Sequence, residues 1–368
     1  MIYFDHNATT PIDPLVVEAM MPFLTNFYGN PSSLHRHGRA VKTSIEQARE
    51  QVARLVNVPP EQVIFTSGGT EANNLAILGV ANHRHALFGK TEHPSVAEPM
   101  ACLNALGAKT EAISVDKNGL ISADCLNEKL TDDTGFISIM YANNETGVIQ
   151  DVPQLTELTK TKGITFHTDA VQAAGKMAVD FPSSGVNLMT LSAHKLYGPK
   201  GVGALIHDNK TELTPIITGG GQEGRYRPGT ENVAAIIGFG KAAQLAVQQL
   251  EERHQHLHTL RAALEQGIQD ISGLSIAAQE VGRIPNTTQI LMDNIDGEML
   301  LMQLDQKSIC VSSGSACSSN SKEPSPVLAA MGYPRKLALS AIRLSLGQQN
   351  TLGEVAEFIA VLKAIVSR

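Results

Sequence analysis

The run Val186-Asn187-Leu188-Met189-Thr190-Leu191 followed by Ser192-Ala193-His194-Lys195-Leu196-Tyr197-Gly198-Pro199 decides how the rest of the chain is read. Its first part is apolar and short, as expected of a strand buried on both faces. Its second part places a lysine at the strand end, beside a serine and a histidine, with glycine and proline closing the turn. An amine so placed can bond a carbonyl cofactor, and hydroxyl and imidazole groups can hold that cofactor's phosphate. On its own, Ser-x-His-Lys also describes a surface lysine in a Gly/Pro turn, so the neighbouring segments must decide.

Working outward, short apolar runs alternate with amphipathic stretches. Strands are predicted at 62–66, 86–88, 110–115, 136–141, 165–168, 188–192 and 202–206. Helices are predicted at 40–56, 71–81, 95–106, 123–130 and 153–161. This alternation predicts an α/β fold with a mostly parallel sheet. One long helical stretch, 233–271, is expected to leave that body. Residues 274–368 read as a smaller α+β unit, with residues 1–14 packed against it. The expected division is a large domain over 15–255 and a small C-terminal domain made of 1–14 and 256–368.

Several strand ends carry chemistry. Thr66-Ser67-Gly68-Gly69-Thr70-Glu71 joins a strand to a helix. Glycines there let backbone approach an anion, which a helix N-terminus attracts, and Thr70 adds a hydroxyl. An ordinary helix cap looks the same. Asp169, in Phe166-His167-Thr168-Asp169-Ala170-Val171-Gln172, can pair with a pyridinium nitrogen, and Gln172 can bond a ring hydroxyl. A capping aspartate is the plain alternative. His93, before Pro94, offers a flat ring for stacking and a group that moves protons near neutral pH. Asn143 and Asn144 follow a strand in a turn-rich segment and offer amides to a ligand oxygen. Arg343, in Ser340-Ala341-Ile342-Arg343-Leu344-Ser345-Leu346-Gly347, is a guanidinium fork suited to a carboxylate, or simply half of a salt bridge. The glycine-rich basic segment 219–230, ending at Thr230, reads as an anion-binding loop or a mobile connection.

The cysteines are Cys102, Cys125, Cys310 and Cys317. They form no CxxC zinc pattern and no dense disulfide framework, so no metal site is expected. Cys102 and Cys125 lie in helix-like stretches and Cys310 in an apolar context. Cys317 lies in Ser312-Ser313-Gly314-Ser315-Ala316-Cys317-Ser318-Ser319, a small, polar segment expected to be exposed and adaptable. Such a thiolate can reach a substrate and present its cargo elsewhere. With a net charge of −7, broad electrostatic binding to nucleic acid is not expected. No apolar run approaches the ~18 residues of a membrane span. The opening MIYFDHNATTPIDP lacks the basic and apolar regions of a secretory signal. A reducing cytoplasm suits a lone reactive thiol.

Taken in order from Asp5-His6-Asn7-Ala8-Thr9-Thr10-Pro11 and Gly29-Asn30-Pro31-Ser32-Ser33 to Arg343, these segments resemble the NifS/IscS-type cysteine desulfurases, class V enzymes of fold-type I that use pyridoxal phosphate. The Ser-Ser-Gly-Ser-Ala-Cys form resembles the family's group I, not the Arg-Thr-Gly-His-His-Cys pattern of group II. The resemblance implies a mostly parallel seven-stranded sheet and a pyridoxal 5'-phosphate cofactor. It implies that Lys195 holds the cofactor as a Schiff base, His93 stacks on its ring, Asp169 pairs with its nitrogen and Gln172 contacts its hydroxyl. Gly69, Thr70, Ser192 and His194 would bind the phosphate, and Thr230 would reach the phosphate of the other subunit of a homodimer. Asn143 and Arg343 would hold the carboxylate of L-cysteine. Cys317 would take the sulfur as a persulfide, releasing alanine, and pass it to an acceptor or iron–sulfur scaffold protein, where it would at most ligate a cluster transiently. IscS-type members carry a longer tail beyond the arginine, used in scaffold docking, so the acceptor's identity stays open here. An aminotransferase or selenocysteine lyase-like enzyme and a non-catalytic scaffold are the rival readings. Cys317 argues against a plain aminotransferase, and the intact Lys195 against a non-catalytic scaffold.

Overall fold

The computed structural model describes residues 1–80, 84–293, 295–313 and 323–366. Cys317 therefore lies outside the described residues. The strands, in chain order, are β1 (Ile2–Tyr3), β2 (Val63–Thr66), β3 (His85–Gly89), β4 (Thr110–Ile113), β5 (Thr134–Ser138), β6 (Thr165–Asp169), β7 (Leu188–Ser192), β8 (Gly203–His207), β9 (Leu274–Ile276), β10 (Thr287–Met292), β11 (Ile309–Cys310), β12 (Ser312–Ser313) and β13 (Ile342–Ser345).

Seven of them form one sheet in the order β2-β8-β7-β6-β5-β3-β4. Its pairs are parallel except those made by β8, which runs against both β7 and β2. β2, β7 and β8 are buried at every position, which is why each reads as a continuous apolar run and not as an alternating one. All seven expected strands are present. The fourth of them, expected at 136–141 and observed as β5, is shifted, because Thr134 is already paired in the ladder and the chain leaves it after Ser138.

Helices cover both faces. The labelled ones are α1 (Pro14–Thr25), α2 (Arg36–Leu55), α3 (Gly69–Val80), α4 (Pro94–Ala105), α5 (Ala123–Lys129), α6 (Val152–Glu157), α7 (Phe181–Ser184), α8 (Val233–Gln248) and α9 (Leu250–Gln269). α3 and α4 bury Leu75, Ile77, Val96 and Met100 against Ile64, Phe136 and Leu188 on one face. α2 and α8 bury Val41, Ile45, Val52, Ile236 and Phe239 against Phe65, Met189 and Leu191 on the other. Each such side chain contributes roughly 1.5–3 kcal/mol of hydrophobic stabilisation. α1, not anticipated from the sequence, starts where Asp13 accepts from the Leu15 N–H with Pro14 in the first turn. α6 ends at Glu157, short of the expected 153–161, and a 3-10 turn at Lys160–Lys162 follows.

The long helix expected over 233–271 is two helices bent by 74° at Gln249. The reason is two separate cores. α8 is apolar and packs on the large sheet's helices, whereas α9 places Leu257, Leu260, Leu264 and Ile268 in a second core. That core holds the antiparallel sheet β12-β13-β10-β9 and the C-terminal helix Leu352–Val366. The N-terminal strand joins it: β1 pairs in parallel with β11, and the buried Phe4 ring meets Phe358 edge-on with centroids 5.8 Å apart. Among the described residues, no single helix is long and apolar enough to cross a membrane.

Candidate active site

In an open α/β sheet the crevice at the carboxyl ends of the strands is where ligands bind. Here β6 ends at Asp169 and β7 at Ser192, and β3 and β5 lead into His93 and Asn143. These four strands are neighbours, in the order β7-β6-β5-β3. The sheet therefore brings together residues up to a hundred positions apart.

Lys195 lies on a 3-10 turn, Ala193–Lys195, directly after β7. Its Nζ donates to the carbonyls of Asn7 and Ala8, at 2.5 and 2.7 Å. The turn is held by the N-terminal segment: Thr10 N–H and Oγ1 both donate to the His194 carbonyl, and Tyr197 N–H donates to Thr10 Oγ1. Tyr197 takes a φ of 68°, a left-handed conformation that a bulky residue keeps only when its surroundings impose it.

His93 caps α4, its Nδ1 accepting from the Ser95 N–H at 3.1 Å and lying 2.7 Å from Ser95 Oγ. An Nδ1 that accepts leaves the ring proton on Nε2. Burial pulls the imidazole below its ordinary range, Asp169 opposes this and Lys195 reinforces it. His93 thus feels both other members of the group. Asn73 Nδ2 donates to Ser95 Oγ and to Asp169 Oδ2, each at 2.8 Å, so one buried amide links the histidine's partner to the carboxylate. The other oxygen, Oδ1, accepts from Val171 N–H.

α3 begins at Gly69, and a Cβ built there would lie 3.1 Å from Val171 Cγ2 and 3.6 Å from Ser192 Cβ. The helix start, Ser192 and the segment after Asp169 are therefore in near contact, and the absent side chain keeps backbone accessible. Thr70 follows in the same first turn. His194 Nδ1 lies 3.1 Å from Thr9 Oγ1, and burial, with Lys195, Lys200 and Lys176 adding to it, pulls its ring down to about 4. It is a neutral imidazole at physiological pH.

Gln172 donates from Nε2 to the Asn7 carbonyl, and its Oε1 accepts from Lys176 Nζ. Asn143 ties its own loop to the one after β3: Oδ1 accepts from the Glu145 and Thr146 N–H groups, and Nδ2 donates to the Thr91 carbonyl. Arg343, in β13, is buried. It donates to Asp5 Oδ1 at 2.7 Å and to the Asn144 carbonyl at 3.2 Å, while its Nε has no partner among the described residues. Thr230 is exposed, on the segment before α8 that Arg227 ties to Glu71 of α3. A surface concavity of about 740 Å³ lies elsewhere, between α2 and the segment around Glu223.

Sequence reasoning missed Asn7, Asn73 and Lys176 as parts of this cluster. A signal for Lys176 was available: it stands in the small, apolar run Ala173-Ala174-Gly175-Lys176-Met177-Ala178-Val179, where a lysine is unexpected.

The set fits pyridoxal phosphate. It has an amine on a fixed turn, a flat neutral imidazole, a buried carboxylate bonded to an amide and a helix start cleared by glycine. Asn73 Oδ1, buried without a partner among the described residues, adds a spare acceptor. Comparison with known proteins agrees. The family model described as aminotransferase class-V matches residues 2–358. A cysteine desulfurase IscS of Dictyoglomus turgidum is 43% identical, over 100% of this chain and 95% of the relative. A solved NifS-like protein superposes with a TM-score of 0.93 at 37% identity, covering 100% of this chain and 99% of the other. A structure described as SspA in complex with cysteine gives 0.84 at 30% identity, over 94% and 99%. The chain belongs to the aminotransferase class-V family of pyridoxal-phosphate enzymes, on the branch that holds the cysteine desulfurases.

Proposed function

We propose that this chain removes sulfur from L-cysteine, releasing L-alanine and carrying the sulfur on Cys317 to an acceptor protein. The observation that carries the reading is the meeting of Lys195, Asp169 and His93 beyond the carboxyl ends of β7, β6 and β3, with the charges of both others acting on the His93 ring. When bound, pyridoxal phosphate supplies an electron sink for the charge that develops at the substrate Cα. The chain's residues do the rest.

Lys195 holds the cofactor and moves protons from a position set by its turn. Asp169, kept in place by Asn73 and the Val171 N–H, would pair with the cofactor's ring nitrogen, and His93 would support its ring. Gly69, Thr70, Ser192 and His194 would hold the phosphate, and Gln172 the ring hydroxyl. Arg343 takes the substrate carboxylate through its guanidinium, with Asp5 and the Asn144 carbonyl fixing its plane, and Asn143 shapes the adjoining loop. The Cys317 thiolate attacks the substrate sulfur. The S–S bond forms as the substrate C–S bond breaks, and the electron pair left on carbon is protonated to give alanine. Thr230 contributes to the phosphate site of a second copy, making a homodimer the working unit. On this reading a cofactor-binding domain over 15–255 works with a smaller domain, 1–14 with 256–368, whose sequence carries Arg343 and Cys317. Cys102, Cys125 and Cys310 are free thiols, in keeping with a reducing cytoplasm. Iron–sulfur cluster assembly is the favoured destination of the sulfur; thiolation of other acceptors is the alternative.

The purified protein is expected to be yellow and to release sulfide and alanine from cysteine with a reductant present. Cys317→Ser is expected to keep the colour and lose sulfide release. Sulfide release that survives this change removes Cys317 as acceptor. Lys195→Ala is expected to lose the covalent link to the cofactor. Undiminished activity in that variant overturns the reading.

A further inference from the structure

Lys176 is a buried lysine that the scheme above does not use. It is only 5% exposed, four residues after Gln172. Its Nζ donates to Asn7 Oδ1 at 2.9 Å and to Gln172 Oε1. Among the described residues no carboxylate lies within ion-pairing distance. The charged groups that act on it are both cations, Lys195 and Arg343, and it acts in turn on the rings of His6 and His194. Burial, with those cations, pushes the amine well below the ordinary lysine range. A buried lysine without a counter-ion is a costly way to fill space, which a methionine would fill at no electrostatic penalty.

The amine donates to two amide oxygens, one on Asn7 and one on Gln172. Those bonds fix the sense of both amides. Gln172 must then turn Nε2 toward the Asn7 carbonyl, and Asn7 must turn Nδ2 toward the Asn144 carbonyl and Thr287 Oγ1. The carbonyl of Asn7 is also the acceptor for Lys195 Nζ. Lys176 and Lys195 thus hold one residue from two sides, the first by its side chain and the second by its backbone.

We propose that Lys176 is a positioning residue for Lys195: through Asn7 and Gln172 it fixes the seat of the cofactor lysine and thereby the proton balance of the linkage that this lysine makes. The proposal rests on the reading of Lys195 as the cofactor lysine.

The test titrates the visible absorption of the holoenzyme against pH and measures kcat and KM for cysteine. Lys176→Met is expected to fold and keep its colour, to move the absorption midpoint by at least about half a pH unit, and to lower kcat about tenfold with little change in KM. Lys176→Gln, which retains an amide donor, is expected to fall between Met and the wild type. A Met variant whose titration and kcat superpose on the wild type overturns the proposal, even if its thermal stability falls. Should Lys176→Met fail to fold, Lys176→Gln decides by the same titration. Wild-type protein that takes up no cofactor would instead sink the reading of Lys195. A coloured, titrating wild type with an indifferent Lys176 variant sinks only the positioning role.

Discussion

Glu145 is buried behind Arg343, and burial pushes its carboxyl up to about 7, against the opposing effects of a Ser325 hydroxyl bond and the guanidinium. In the unfolded chain the same group has an ordinary value near 4.5. The folded state therefore binds its proton more tightly. The stability this confers is fully present below about 4.5 and is lost as pH rises through about 7. Glu145→Gln removes the titration while leaving an oxygen for Ser325. Relative to this variant, the wild type is expected to lose on the order of 3 kcal/mol between pH 5 and 8, read as diverging melting temperatures. Parallel curves for the two proteins would contradict it. At this scale the sequence was legible where a residue ends a strand. Lys195 and Asp169 announce themselves because a strand-like segment precedes each, an apolar run before Lys195 and the β-prone Thr165-Phe166-His167-Thr168 before Asp169. Glu145 and Lys176 do not, because what makes them unusual is burial among partners such as Ser325 and Asn7, more than 160 positions away.

The elements position the site through close backbone approaches, and β8 gives the sharpest case. A Cβ on Gly203 would lie 2.6 Å from the Gly68 carbonyl carbon and 2.7 Å from the Leu191 carbonyl oxygen. Both are backbone atoms, which cannot swing aside. Gly203 pairs with Thr66 and with Ser192, so it joins the strand ends that present Gly69, Thr70 and Ser192. Gly203→Ala is expected to wedge the ladder apart, costing about 1–3 kcal/mol and weakening cofactor affinity, measured by thermal denaturation and by titration of the cofactor-free protein. Gly282→Ala, where a Cβ meets nothing within 4 Å, serves as the control and is expected to change neither. Equal behaviour of the two would refute the wedge. β2, β7 and β8 were legible because strands buried on both faces read as apolar runs. The bend at Gln249 was not, since Gln249 carries no breaker signal and the turn reflects two cores pulling adjacent helices in different directions.

Across the whole molecule the two sheets are joined by the N-terminal segment, and Asn7 is its centre. Its N–H donates to Ser345 Oγ at 2.8 Å and its Nδ2 to Thr287 Oγ1 at 2.8 Å, both on the C-terminal sheet. Its Oδ1 accepts from Asn286 and from Lys176, and its carbonyl from Lys195 and Gln172. Nothing in the composition of residues 1–14 distinguishes this role. It follows from where β1 and Phe4 anchor the chain, which is tertiary information. Asn7→Ala keeps the backbone bonds and removes the side-chain ones, leaving Lys176 and the Asn286 amide buried without an acceptor they now use. Each such loss costs about 1–3 kcal/mol, so the variant is expected to unfold at least about 2 kcal/mol more easily and to retain cofactor less well. Asn7→Asp restores an oxygen to Lys176 and Asn286 but sets a carboxylate against the Asn144 carbonyl, so its stability is expected to lie between the other two. Denaturant unfolding of the three holoproteins checks the order. If Asn7→Ala unfolds at the wild-type midpoint, the junction between the sheets is carried by other contacts and Asn7 is only a passenger in the site.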